Sequence, residues 1–141
     1  MDNFLEQLVK DDFSLVIIVI VVIVLAAPYL YIKISTILAV GKSVPQPEPA
    51  AATDNNASTY YYFMSEHCSM CKVMTPQVAA LQSQNPHIII IDINQSPELR
   101  KNFHVYGTPT LMEVRKGKII KTKLGRLDSK KLEAFIKYTP N

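Results

Sequence analysis

Two cysteines stand two residues apart in "SEHCSMCK" (residues 65–72), and the chain has no others. On residue type alone, Cys68 and Cys71 can be a redox pair, half of a metal site, or two small buried apolar side chains. The spacing permits a specific dithiol chemistry. One thiolate attacks a disulfide to form a mixed disulfide, and a second thiol one helical turn away attacks in turn and releases the product. "HCSMC" together with Met74 also offers soft ligands suited to Cu(I) or zinc, so a metal role stays open at this point. Covalent c-type haem attachment is excluded, because Lys72 stands where that motif needs a histidine.

Either chemistry needs a framework that fixes the two sulfurs. Residues 59–64, "TYYYFM", are aromatic and β-prone and predict a short buried strand that ends just before the pair. Tyr60, Tyr61 and Tyr62 alternate across that strand and are accounted for by packing. Residues 71–83 carry Met74, Val78 and Leu81 at helical spacing, with Pro76 inside as a kink. Cys68 then falls at a helix N-terminus, where unpaired N–H groups and the helix dipole favour a thiolate. Its pKa is lowered, and it becomes the nucleophile. Further on, "HIIIIDI" (87–93) predicts a strand covered on both faces. "SPELRKNF" places Ser96 at an N-cap and Pro97 at the first helical position. "TLMEVRKGKIIKTKL" predicts a β-hairpin turning around Lys116 and Gly117. "LDSKKLEAFIKY" predicts a closing helix, capped by Asp128 or Ser129, with Leu132, Phe135 and Ile136 on one face. The order β-α-β-α-β-β-α is an α/β fold with a mixed four-stranded sheet.

With the cysteines between the first strand and the first long helix of this head, the chain resembles the thioredoxin superfamily over residues 59–138. The resemblance rests on "HCSMCK" after a strand, Pro76 beyond the second cysteine, "VYGTPTL" (105–111), and the basic hairpin with its closing helix. It implies a trimmed thioredoxin-like fold whose first strand and helix are missing. In that family a threonine or similar residue followed by a cis-proline faces the cysteines, and the matching positions are Thr108 and Pro109. The resemblance implies that Thr108 pairs through its backbone with an extended substrate strand while Pro109 keeps metals from the thiols. His67, beside Cys68 and tuning it, and Met70 complete the groove. The activity so implied is thiol–disulfide exchange with protein substrates, with Cys68 attacking and Cys71 resolving. It requires a redox partner that recycles the pair, and neither a cofactor nor a metal. The rival class is a non-enzymatic module of the same fold that handles copper or zinc, or assists assembly of a membrane complex.

Five positions depart from the family pattern. His67 replaces a tryptophan, and Ser69 with Met70 replaces a Gly-Pro pair. The family's buried acid falls on Tyr62 and its accompanying lysine on Ile90. Losing both is coherent, since either charge alone in that interior is costly. It leaves Cys71 without the family's proton relay.

The chain is 48% hydrophobic and 19% charged over 141 residues, too apolar for a small soluble domain, and the excess lies near the N-terminus. Residues 13–32, "FSLVIIVIVVIVLAAPYLYI", carry no charge and are long enough as a helix to span about 30 Å of hydrocarbon. Pro28 is tolerated in such a span, and Tyr29, Tyr31 and Lys33 suit its interface. A cleaved signal peptide fits less well, because Asp2, Glu6, Asp11 and Asp12 outnumber Lys10 in the preceding flank. The expected organisation is a flank (1–12), a transmembrane anchor with its exit segment (13–40), a Pro/Ala-rich linker (41–58) and the head (59–141). Lys33 and Lys42 against Lys10 lean by one side chain toward a cytosolic head. The tether and the anchored members of the family instead favour a single-pass protein of the cell membrane with its head on the extracytoplasmic, periplasmic side. A net charge of +3 without an arginine cluster excludes nucleic acid as a partner.

Overall fold

The uninterrupted Val, Ile and Leu run forms a helix, α1, over Asp2–Ile37. The structure, a computed structural model, describes residues 2–44 and 57–136, and the chain divides after Ile34 into two units. Within α1 the stretch Phe13–Ile37, 25 residues, is long and apolar enough to cross a membrane. Apolar side chains lie exposed along it, from Phe13 to Leu30, which is the opposite of a one-sided surface helix. The ammonium of Lys33 sits 5.5 Å from the ring centroid of Tyr29.

In the second unit the aromatic strand β1 (Thr59–Met64) is central. It is followed by α2 (Ser69–Gln82), β2 (Ile88–Asp92), α3 (Pro97–Asn102), β3 (Thr110–Arg115), β4 (Lys118–Leu124) and α4 (Ser129–Ile136). The four strands form one sheet in the order β2-β1-β3-β4. β1 pairs with β2 in parallel, β1 with β3 antiparallel, and β3 with β4 antiparallel. The head is thus a thioredoxin-like α/β fold with a mixed four-stranded sheet, as its element order predicts.

Alternation along β1 divides the core into two layers. Tyr61 and Phe63 point to one face, where Phe103 lies 4.7 Å and 5.2 Å from them between ring centroids. Tyr60 and Tyr62 point to the other, with Met74 and Val78 of α2 and Leu132, Phe135 and Ile136 of α4. Lys116 and Gly117 both take positive φ, 52° and 70°, as the two-residue turn of a twisted hairpin demands. Asp128 caps α4 by accepting from the Lys131 N–H at 2.9 Å.

Three details differ from the sequence reading. The isoleucine strand β2 is packed on both faces but lies at the sheet edge, so Ile89 and Ile90 are only partly buried. Ser96 occupies the cap position of α3, yet its side chain makes no capping hydrogen bond, and Pro97 carries the start of the helix. Residues 41–44, read as part of the linker, also hydrogen-bond to the β3–β4 hairpin. Gly41 donates to Ile119 O at 2.7 Å, Val44 donates to Gly117 O at 2.8 Å, and Ile119 donates to Lys42 O at 3.1 Å. Ala39 and Val44 are buried in the same core layer as Phe103. An edge strand leaves a row of backbone groups unpaired, and this short segment satisfies part of that row on β4. Residues 45–56 of the expected linker lie outside the described residues.

Candidate active site

The sheet topology brings two distant segments to one end. β1 runs toward the cysteines, and β3 runs antiparallel to it, with Phe63 opposite Thr110. The residues after β1 and those before β3 therefore meet at the same edge of the sheet. There Cys68 lies against Thr108, its thiol donating to the Thr108 carbonyl oxygen at 3.5 Å. The Thr108-Pro109 peptide bond is cis.

Cys68 is itself the N-cap of α2, in extended backbone conformation, and its sulfur accepts the Cys71 N–H at 3.2 Å. A sulfur thus occupies the position where a serine or aspartate oxygen usually satisfies the first free N–H groups of a helix. Burial of the sulfur acts to raise its pKa. Hydrogen bonds from the side chains of Cys71 and Thr108 and from the backbone of Cys71 and Met70 outweigh this, and the net shift is downward. The more exposed thiol is therefore the more acidic one.

Cys71 is the contrasting case. It is 1% exposed, on the inner face of α2, and both cysteines are free thiols. Burial pushes its pKa up, and the neighbouring Cys68 side chain adds to that; a Ser65 backbone bond and the Thr108 hydroxyl oppose it without reversing it. Beneath it lies Tyr62, fully buried in β1, with its hydroxyl 3.2 Å from that of Thr75. Burial pushes the Tyr62 phenol up to about 12; the Thr75 bond opposes this and Cys71 reinforces it.

Of the residues singled out from sequence, the structure brings Cys68, Cys71, Thr108 and Pro109 together at this edge. Met70 is 47% exposed on the first turn of α2, between the two cysteines in sequence. His67 is exposed, and its backbone N–H donates to the Ser65 hydroxyl at 3.4 Å; its ring is not among the leading influences on Cys68. Met74 is buried among Tyr60, Tyr62 and Leu111, and among the described residues no three His, Cys, Asp or Glu side chains are grouped to hold a metal ion. Ser65 and Thr75 were not singled out from sequence. Ser65 holds the turn into α2, accepting from Asn94 Nδ2 at 3.0 Å through its hydroxyl and from Cys68 N–H at 3.1 Å through its carbonyl. Thr75 had one sequence signal: it lies four residues after Cys71 and so on the same helix face.

A family model described as Thioredoxin matches residues 50–138. A thioredoxin of Chlamydia trachomatis is 35% identical over 76 residues, covering 52% of this chain and 74% of that protein. The chain belongs to the thioredoxin family. A thioredoxin of Chlamydia muridarum is 34% identical over 76 residues, with the same coverage of 52% and 74%. Among solved structures, Fasciola hepatica thioredoxin covers 60% of this chain and 83% of its own, with a TM-score of 0.53. At 24% identity that likeness is one of fold. Membership of the thioredoxin family makes this chain a thiol–disulfide oxidoreductase.

Proposed function

We propose that this chain is a membrane-anchored thioredoxin that exchanges disulfides with protein substrates through Cys68 and Cys71. The observation that carries the assignment of roles is the cap: Cys68 alone stands at the N-terminus of α2 with its pKa lowered, while Cys71 is buried with its pKa raised. The Cys68 thiolate attacks a substrate disulfide, forming a mixed disulfide and expelling one substrate sulfur as a thiolate. Cys71, as its thiolate, then attacks Cys68 Sγ. The Cys68–Cys71 disulfide forms, the second substrate sulfur leaves, and two electrons have passed to the substrate. The same steps run backward when the oxidised pair delivers its disulfide to a substrate dithiol, and a redox partner resets the pair in either direction.

Thr108, Pro109, Met70 and His67 form the groove around Cys68, with the Thr108 backbone pairing with an extended substrate segment. The stretch Phe13–Ile37 supplies a single-pass anchor in the cell membrane, and the head works on the extracytoplasmic, periplasmic side, where disulfides persist. Anchoring raises the effective concentration of partners in the same bilayer.

The test is a trap. Membranes carrying Cys71→Ser should show a band of higher mass on a non-reducing gel that disappears with reductant, and Cys68→Ala should show none. If Cys71→Ser captures no protein and the intact pair binds Cu(I) or zinc tightly, the metal-handling alternative replaces this reading.

A further inference from the structure

Residues 41–44 are fixed on the head by backbone bonds. The Gly41 N–H donates to Ile119 O at 2.7 Å, and the Val44 N–H donates to Gly117 O at 2.8 Å. Ala39, two residues past the end of α1, is fully buried in the core layer that holds Ile119 and Phe103. Gly41 follows Ile37, the last residue of the apolar stretch, by four positions. Fully extended, four residues reach at most about 14 Å. In a chain anchored by that stretch, β4 is therefore held close to the bilayer surface. The distance is comparable to the Debye length, about 10 Å at 0.1 M salt.

The surface so held is basic and partly apolar. Residues 114–127, "VRKGKIIKTKLGRL", carry six Lys and Arg and no Asp or Glu. Arg115 is engaged by Glu113 and Ser58, and the Lys121 ammonium lies 4.3 Å from the ring centroid of Phe135. Lys42, Lys116, Lys118 and Lys123 are exposed and enter no ion pair among the described residues. Beside them Leu38, Val40 and Ile120 expose apolar side chains, while their neighbours Ala39 and Ile119 are buried. Ammonium groups set among exposed aliphatic side chains match a bilayer surface, where phosphates lie above acyl carbons.

From this placement we propose that the β4 edge and the β3–β4 hairpin dock the head on its own bilayer through anionic phospholipid headgroups. The inference rests on the membrane-anchored reading above. The lysines meet phosphates, and Leu38, Val40 and Ile120 enter the boundary of the acyl region. Lipid is favoured over an acidic protein because the anchor keeps the bilayer at high effective concentration beside this face. The hairpin lies at the end of β3 opposite Thr108, so docking leaves the Cys68 end turned toward solvent. The disulfides within reach are then those on extramembrane segments of partners.

The experiment uses the full chain reconstituted in vesicles of phosphatidylcholine alone or mixed equally with phosphatidylglycerol. The sequence has no tryptophan, so Ile120→Trp introduces a single indole. In the mixed vesicles its emission should shift to the blue and be quenched by lipids brominated in their acyl chains. In the neutral vesicles both changes should be much smaller. Salt at 1 M, where the Debye length falls to about 3 Å, should reverse them. Lys42→Gln and Lys118→Gln in that background should each lower the ratio of docked to free head by about fivefold. Tyr106→Trp, two residues before Thr108 at the Cys68 end, should stay unquenched in both vesicles. An indole at position 120 equally exposed to water in both vesicles overturns the docking and leaves the basic edge to an acidic protein. Quenching as strong from position 106 overturns it as well. Alkaline carbonate that strips the parent chain from both vesicles would instead overturn the membrane-anchored reading.

Discussion

Cys68 and Cys71 are separated by two residues, yet they occupy opposite electrostatic environments. Cys68 caps α2 from outside: its sulfur faces the helix N–H groups and the Thr108 loop, and its pKa falls. Cys71 is one turn inside the same helix, 1% exposed above Tyr62, and its pKa rises. A single helical turn therefore separates a nucleophile from a thiol held in reserve. The difference comes from position relative to the helix end, since the side chains are identical. What differs is access to unpaired N–H donors on one side and desolvation on the other.

The comparison can be broken most severely at Cys68. Cys68→Ala should abolish disulfide exchange, because the buried thiol has neither the exposure nor the acidity to begin it; exchange persisting in that variant, read with a disulfide-linked reporter, would reverse the roles. A smaller effect is expected at Thr108. Its hydroxyl helps hold down the Cys68 pKa, and a hydrogen bond of this kind is worth about 0.5–1.5 kcal/mol, so Thr108→Val should slow attack by about twofold to tenfold. The pH dependence of the attack rate should move upward with it.

The smallest effect sharpens the comparison through stability. In reduced Cys71→Ser the serine hydroxyl stands in for the Cys71 thiol as a donor and the Thr108 and backbone donors remain, so Cys68 should keep a folded pKa below its unfolded value and unfolding should bind protons. That variant should gain stability as pH rises from the folded Cys68 pKa to the ordinary thiol range. Reduced Cys68→Ser retains Cys71, whose folded pKa lies above its unfolded value. Its stability should be full below the ordinary thiol range and decline as pH rises toward the folded Cys71 pKa. Denaturant midpoints measured across this range should slope in opposite directions for the two variants.

The sequence made the framework legible because the framework depends on local patterns. Alternation in "TYYYFM", the helical spacing of Met74 and Val78, and the glycine after Lys116 each encode their own element. The start of α2 was legible from the position of the pair after the strand, and Cys68 is its N-cap although a cysteine is not a residue that usually marks one. The pairing of residues 41–44 with β4 left no side-chain pattern, being made by backbone groups in a segment whose composition reads as linker. The Tyr62 contact with Thr75 joins a strand to a helix 13 residues on, and the sequence shows only that Thr75 shares a face with Cys71. Substituting Tyr62 for an acid was thus legible as a loss, whereas its new hydroxyl partner was a tertiary fact.

The claim that the helix end splits the pair is tested most directly by alkylating the fully reduced full-length chain with iodoacetamide across a pH series and mapping the modified peptides. The account predicts modification of Cys68 already at mildly acidic pH, with Cys71 unmodified until the solution is alkaline. Equal labelling of the two, or earlier labelling of Cys71, would contradict it.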